Sequence, residues 1–213
     1  MTDATTADLV HWLEGFRALV KSHQSELTEL DSVIGDADHG SNMARGMDAV
    51  VAKVAAAPAT TPGDLFKTVG MTLVSTVGGA SGPLYGTFFL RFGASAGGSE
   101  ALDATALGAA LRAGLDGVVA RGKAAPGDKT MVDALTPAAD AWDAAAAAGS
   151  SPADASTAAL EAARTGRDAT IPLVARKGHA SYLGERSAGH LDPGAASATL
   201  LLEALHDALT AST

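Results

Sequence analysis

A chain of 213 residues, 47% of them hydrophobic, is long enough for one well-buried core, and it is read as a single domain spanning 1–213. Its net charge of -9 excludes the clustered lysine and arginine of a nucleic-acid surface, and the absence of cysteine excludes disulfides and thiolate metal sites. Any metal must therefore be held by oxygen or imidazole, with oxygen-ligated magnesium the leading candidate.

Leu9, Trp12, Leu13, Phe16, Leu19 and Val20 follow the three-and-four spacing of one helical face, which predicts a helix over about 6–29. A break at Ile34–Gly40 precedes a second helix marked by Met43, Met47, Val50, Val51 and Val54, which stops before the turn from Pro58 to Pro62. A third helix is expected over about 63–77, then a glycine-rich loop from Gly78 to Pro83, then a helical apolar run from Leu84 to Phe92. Leu107, Leu111, Leu115, Val118 and Val119 give another amphipathic helix, closed by Gly122 and the Pro126-Gly127 turn. Alanine-rich helices follow over 130–147 and 153–169, and Leu200, Leu201, Leu205 and Leu209 place a last one at the C-terminus. Arg176–Gly194 is too long for an idle connection and is read as a functional loop. Strand signals are nearly absent, so the fold class is all-α: about eight helices in an antiparallel bundle or barrel, with several loops gathered at one end.

No apolar run reaches the roughly 18 residues of a bilayer span, since Arg112 and Asp116 interrupt the window 107–119. The opening Met-Thr-Asp-Ala-Thr-Thr lacks the basic flank and apolar stretch of a secretory signal. The expectation is a cytoplasmic protein with neither membrane nor nucleic acid among its partners.

Three carboxylates, Asp31, Asp36 and Asp38, fall within eight residues at a junction of two helices. Acids this close repel one another unless solvent or a divalent cation offsets them, and magnesium prefers such oxygen ligands. A solvated loop with a helix-capping aspartate is the plainer alternative. An EF-hand calcium loop fails, because Ser41 stands at its glycine position and Met47 at its bidentate glutamate. Gly78-Gly79-Ala80-Ser81-Gly82-Pro83 could set backbone N–H groups against phosphate, or be only a tight turn. Gly117-Val-Val-Ala-Arg-Gly122-Lys123-Ala124 nearly matches a P-loop, but Ala124 replaces the magnesium-binding hydroxyl and the segment closes a helix. Gly127–Asp133 places Met131 at a helix start, where it could pack on a purine or simply join the core.

Gly35-Asp36-Ala37-Asp38-His39-Gly40-Ser41-Asn42, Gly79–Pro83, Gly127–Met131 and Tyr182-Leu183-Gly184-Glu185-Arg186-Ser187 together resemble the nucleotide-binding L subunit of dihydroxyacetone kinases, in the family order and across most of the chain. The resemblance implies an eight-helix antiparallel barrel binding ADP or ATP at one end. It implies that Asp31, Asp36 and Asp38 hold magnesium, as a pair of ions, and that His39, Gly40, Ser41 and Asn42 adjoin the phosphates. Ala80 and Ser81 become glycine-loop contacts, Gly122 and Met131 part of the base pocket, and Asp192, Pro193 and Gly194 the closing segment.

Two positions depart from the family pattern. Ala37 replaces a common glycine, which matters only if that residue needs a positive φ. His179 stands where many members carry a nucleotide-contacting arginine, and Lys177 or Arg186 is available to replace that contact.

The implied partner is a separate K subunit carrying dihydroxyacetone on a histidine, so this chain contributes no nucleophile and is incomplete alone. A phosphotransferase-system M component would rephosphorylate resident ADP in the phosphoenolpyruvate-dependent version, which a stand-alone L chain favours. An ATP-exchanging kinase subunit and a nucleotide-loaded docking module are the alternatives, and a homodimer is compatible with all three.

Overall fold

The computed structural model describes residues 3–211. Nine α-helices are present among them: α1 (Thr6–Ser22), α2 (Gln24–Ile34), α3 (His39–Ala56), α4 (Pro62–Thr76), α5 (Ser81–Ala96), α6 (Ala104–Gly122), α7 (Met131–Ala147), α8 (Pro152–Ala169) and α9 (Pro193–Ala211). A 3-10 helix (His179–Ser187) lies in the long loop between α8 and α9. The chain is all-α apart from a two-residue antiparallel pairing of β1 (Ala4–Thr5) with β2 (Ala101–Leu102), in register Ala4 to Leu102.

Local chemistry sets the boundaries. Thr5 and Thr130 close capping boxes with Asp8 and Asp133 at the starts of α1 and α7, while Thr61, Asp103 and Ser151 cap α4, α6 and α8. Proline occupies the first turn of α4 and α8, where its missing N–H costs nothing. The single helix expected over 6–29 is two. At His23 (φ -99, ψ 11) the ring Nδ1 lies 2.9 Å from the Leu19 carbonyl and the backbone turns, after which α2 runs on to Ile34.

Eight of the helices form a closed ring: α1 packs on α3, then α4, α5, α6, α7, α8 and α9 follow, and α9 returns to α1. Successive helices run antiparallel from α3 onward, joined by short connections except for the long 170–192 loop before α9, so the N-termini of α3, α5, α7 and α9 share one end with the C-termini of α4, α6 and α8. The remaining helix, α2, packs against α3 and α9.

Aromatic side chains fill part of the ring. Phe66 and Phe89 stack at 5.5 Å, Trp12 packs against both, and its indole N–H donates to the Leu201 carbonyl at 2.8 Å. α4 and α5 touch backbone to backbone at Gly70 and Gly86. A Cβ on Gly70 would lie 2.7 Å from the Gly86 carbonyl, so small residues are what permit this closeness. No described helix is long and apolar enough to cross a membrane.

Candidate functional site

The shared helix ends enclose a cleft of about 590 Å³, within the usual range for a small-molecule site. α2 delivers Asp31, only 8% exposed, and Oδ2 of its carboxylate accepts the backbone N–H of Asp38 at 2.9 Å and of His39 at 3.1 Å. Those bonds fold the 35–38 turn over Asp31 and bring Asp36 and Asp38 beside it, with one oxygen of each acid within 4.8 Å of the others. Gly35 is required here, since a Cβ would sit 2.0 Å from Asp31 Oδ1. Ala37 adopts φ 63, the left-handed region that costs a residue with a Cβ about 1–2 kcal/mol, so the departure from glycine carries strain.

Next to the acids, α5 begins with no side-chain cap, unlike α1, α4, α6, α7 and α8, and at α3 the N-cap residue Asp38 makes no cap bond of its own, Asp31 taking the N–H groups of Asp38 and His39. Such helix starts present N–H groups and a positive dipole end, which suits an anion. Gly79, Ala80 and Ser81 line the cleft at the start of α5. Behind them the His39 ring bridges Ser81 Oγ and Ser197 Oγ, each at 2.9 Å, and Ser197 meets the buried Tyr85 hydroxyl at 2.7 Å. Burial holds His39 below its ordinary 6.5 despite the pull of Asp31, Asp38 and Asp36, and burial likewise pushes the Tyr85 phenol up. This network locks the starts of α3, α5 and α9 together.

The opposite wall is apolar, with Leu84, Val118, Gly122, Ala124, Met131 and Val132 among its residues. The turn before α7 supports it: Asp133 accepts the N–H groups of Gly127 at 2.5 Å and Thr130 at 2.7 Å. The remaining side belongs to the 170–192 loop and the start of α9. Lys177, Gly178 and His179 face the cleft, and His179 Nδ1 lies 3.1 Å from Asp36 Oδ2. Asp192 caps α9 through Ala195 N–H at 2.7 Å, and burial pushes its carboxyl up to about 7.

Of the residues singled out in the sequence, Asp31, Asp36, Asp38, His39, Ala80, Ser81, Gly122, Met131, His179, Asp192, Pro193 and Gly194 all line this cleft. Gly40, Ser41 and Asn42 do not line it. The first turn of α3 carries them past the opening: Gly40 abuts the Gln24 carbonyl, Ser41 Oγ donates to the Asp38 carbonyl, and Asn42 accepts from Arg45. Sequence reasoning gave no separate role to Lys129 or Arg121, which also line the cleft. Lys129 sits inside a recognised motif, but nothing in the order of residues marks its ammonium as buried.

Comparison with known proteins agrees with this architecture. The DAK2 domain family model matches residues 33–207. The ADP-binding subunit DhaL of the PEP-dependent dihydroxyacetone kinase of Escherichia coli (strain K12) is 45% identical over 197 residues, covering 92% of this chain and 94% of that protein. The corresponding subunit of the PTS-dependent enzyme of Lactococcus lactis is 41% identical over 196 residues, covering 92% and 94%. Among solved structures, the dihydroxyacetone kinase from C. freundii in complex with AMP-PNP and Mg2+ matches 97% of this chain with a TM-score of 0.72 and 26% identity. This chain spans 35% of that larger one. The domain match and the near full-length likeness to these subunits establish that the chain belongs to the DAK2 domain family.

Proposed function

We propose that this chain is the ADP-binding subunit of a dihydroxyacetone kinase, holding a magnesium nucleotide in the cleft and presenting its phosphoryl group to a sugar carried by a separate K subunit. The observation that carries the reading is the joining of three carboxylates, with oxygens within 4.8 Å of one another, to a cleft whose far wall is apolar. All-oxygen carboxylate donors fit magnesium, a hard cation that prefers oxygen ligands. When bound, the metal, taken as a pair of ions, neutralises charge on the phosphates as the phosphoryl group moves.

The chain's own residues do the positioning. Asp31, Asp36 and Asp38 hold the metal, with Asp31 fixed by its two backbone donors. The start of α5 receives phosphate oxygens, with His39, Ala80 and Ser81 alongside, while Gly40, Ser41 and Asn42 form the first turn of α3 that backs them. Gly122 and Met131 flank the base, while His179 and the Asp192–Gly194 segment close the site. The reading assigns no nucleophile to this chain, so transfer waits for a partner.

Both bacterial relatives described above carry the phosphoenolpyruvate- or PTS-dependent designation, which favours ADP as a resident cofactor recharged by an M component in the cytoplasm. Protein purified without added nucleotide and dialysed in magnesium is expected to release near-stoichiometric ADP on denaturation. An empty site, with steady turnover of free ATP in the presence of a K subunit, would replace this version with the ATP-exchanging one.

A further inference from the structure

Lys129 is 1% exposed, yet it carries an ammonium into the interior behind the cleft. Its Nζ donates to three backbone carbonyls: Thr170 at 2.7 Å, Ile171 at 3.3 Å and His190 at 2.5 Å. An ammonium has three donors, so all are spent on the protein and none remains for a ligand. The first two acceptors directly follow the C-terminus of α8, where a cation also meets the negative end of the helix dipole. The third lies two residues before Asp192, the cap of α9.

One side chain thus joins both ends of the 170–192 loop. The same neck is closed by Gly189 N–H on the Ile171 carbonyl at 2.7 Å and Asp192 N–H on Thr170 Oγ1 at 3.2 Å. The residue before Lys129 holds the loop as well, because the Asp128 carbonyl accepts Arg176 N–H at 3.1 Å. Within the loop, Ser187 Oγ accepts from Ala175 N–H at 2.8 Å and donates to the Gly184 carbonyl at 2.6 Å. Lys129 adopts φ 63, a costly conformation for a side chain with a Cβ, retained where surrounding structure enforces it.

We infer that Lys129 is a positioning residue, whose ammonium pins the two ends of the 170–192 loop so that Lys177 and His179 stay over the metal-binding side of the cleft. It acts through the loop and touches no substrate. The inference rests on the reading of the cleft as a magnesium nucleotide site, and its test separates the two.

The full-length wild type, Lys129→Met and Lys129→Gln are compared in two assays: protease cleavage within 170–192 without nucleotide, and association and dissociation rates of ADP with magnesium. Lys129→Met is expected to expose the loop to cleavage while the helices stay protected, and to speed dissociation at least about tenfold with a smaller change in association, since charge-assisted bonds are lost. Lys129→Gln, which keeps two donors, should fall between. A lysine that only supported the fold would lower the melting temperature and leave dissociation unchanged, and that result overturns the inference. Failure of both variants to fold overturns it too, because the role would then belong to the whole ring. If the wild type binds no ADP, the nucleotide reading fails, and the cleavage comparison still decides whether Lys129 pins the loop.

Discussion

Replacing Asp38 with asparagine should move stability and binding in opposite directions. One oxygen of Asp38 lies within 4.8 Å of one from each of Asp31 and Asp36. At that separation two unit charges repel by about 1 kcal/mol in the dielectric of water and about 3.5 kcal/mol at an effective value of 20. Asp36 is exposed and Asp38 half-buried, so the lower figure governs most of the effect. Asp38→Asn removes two such pairs and forfeits about 0.5 kcal/mol of favourable charge at the start of α3. The metal-free variant should therefore be more stable by about 1 kcal/mol, which for a chain of this size raises the melting temperature by about 2–4 °C. The gain should shrink as salt rises from low ionic strength to about 1 M, where the screening length falls to roughly 3 Å. Affinity for ADP with magnesium should meanwhile fall at least about a hundredfold, because an anionic ligand is gone. Differential scanning calorimetry in chelator and titration calorimetry with ADP and magnesium measure the two effects. A variant that melts lower without metal and binds as before would refute both the repulsion and the metal assignment.

Three further perturbations are specific. Ala37→Gly relieves the strain at φ 63 and should stabilise the protein by about 0.5–1 kcal/mol after glycine's own entropy is subtracted, as read by chemical denaturation, with ADP affinity unchanged. His179→Arg should tighten binding of ADP with magnesium by about 1 kcal/mol, since a guanidinium adds charge-assisted contacts to phosphate, and calorimetry showing weaker binding would mean that the pairing of His179 with Asp36 is what matters. Burial raises the Asp192 carboxyl from 3.8 to about 7, against the pull of Ala195 N–H and Lys129 and reinforced by Asp133 and Asp31. A raised folded value means stability present below the unfolded value and lost as pH rises. Wild type should therefore weaken between pH 4 and 7 relative to Asp192→Asn, by up to about 4 kcal/mol, and parallel denaturation curves across that range would count against a buried neutral acid.

Periodicity carried most of the fold into the sequence. Leu9, Trp12, Leu13, Phe16 and Val20 in α1, and Leu107, Leu111, Leu115 and Val118 in α6, are the buried stripes that the spacing predicts, while Val119 is exposed. The break at His23 was not legible, because the ring's hold on the Leu19 carbonyl depends on a rotamer that periodicity does not encode. The glycine pattern predicts a loop as far as Pro83, whereas α5 starts at Ser81, since Pro83 is welcome in a first helical turn. At the site, the acidic cluster was visible as residues but not as geometry. Asp31 lies a helix end away from Asp36, and two backbone donors draw them together. Gly40, Ser41 and Asn42 could not be distinguished from the residues facing the cleft until the turn of α3 was known. Lys129 was hidden for a related reason: a lysine in a turn motif predicts solvent, and only the carbonyls of a distant loop explain its burial.

If Asp31, Asp36 and Asp38 hold a magnesium nucleotide, binding must depend on the metal. The most direct test is titration of nucleotide-stripped protein with ADP, in magnesium and again in chelator. Tight, near one-to-one binding is expected in magnesium, and it should collapse when the metal is removed. Equal affinity in both conditions, or none in either, would contradict that assignment.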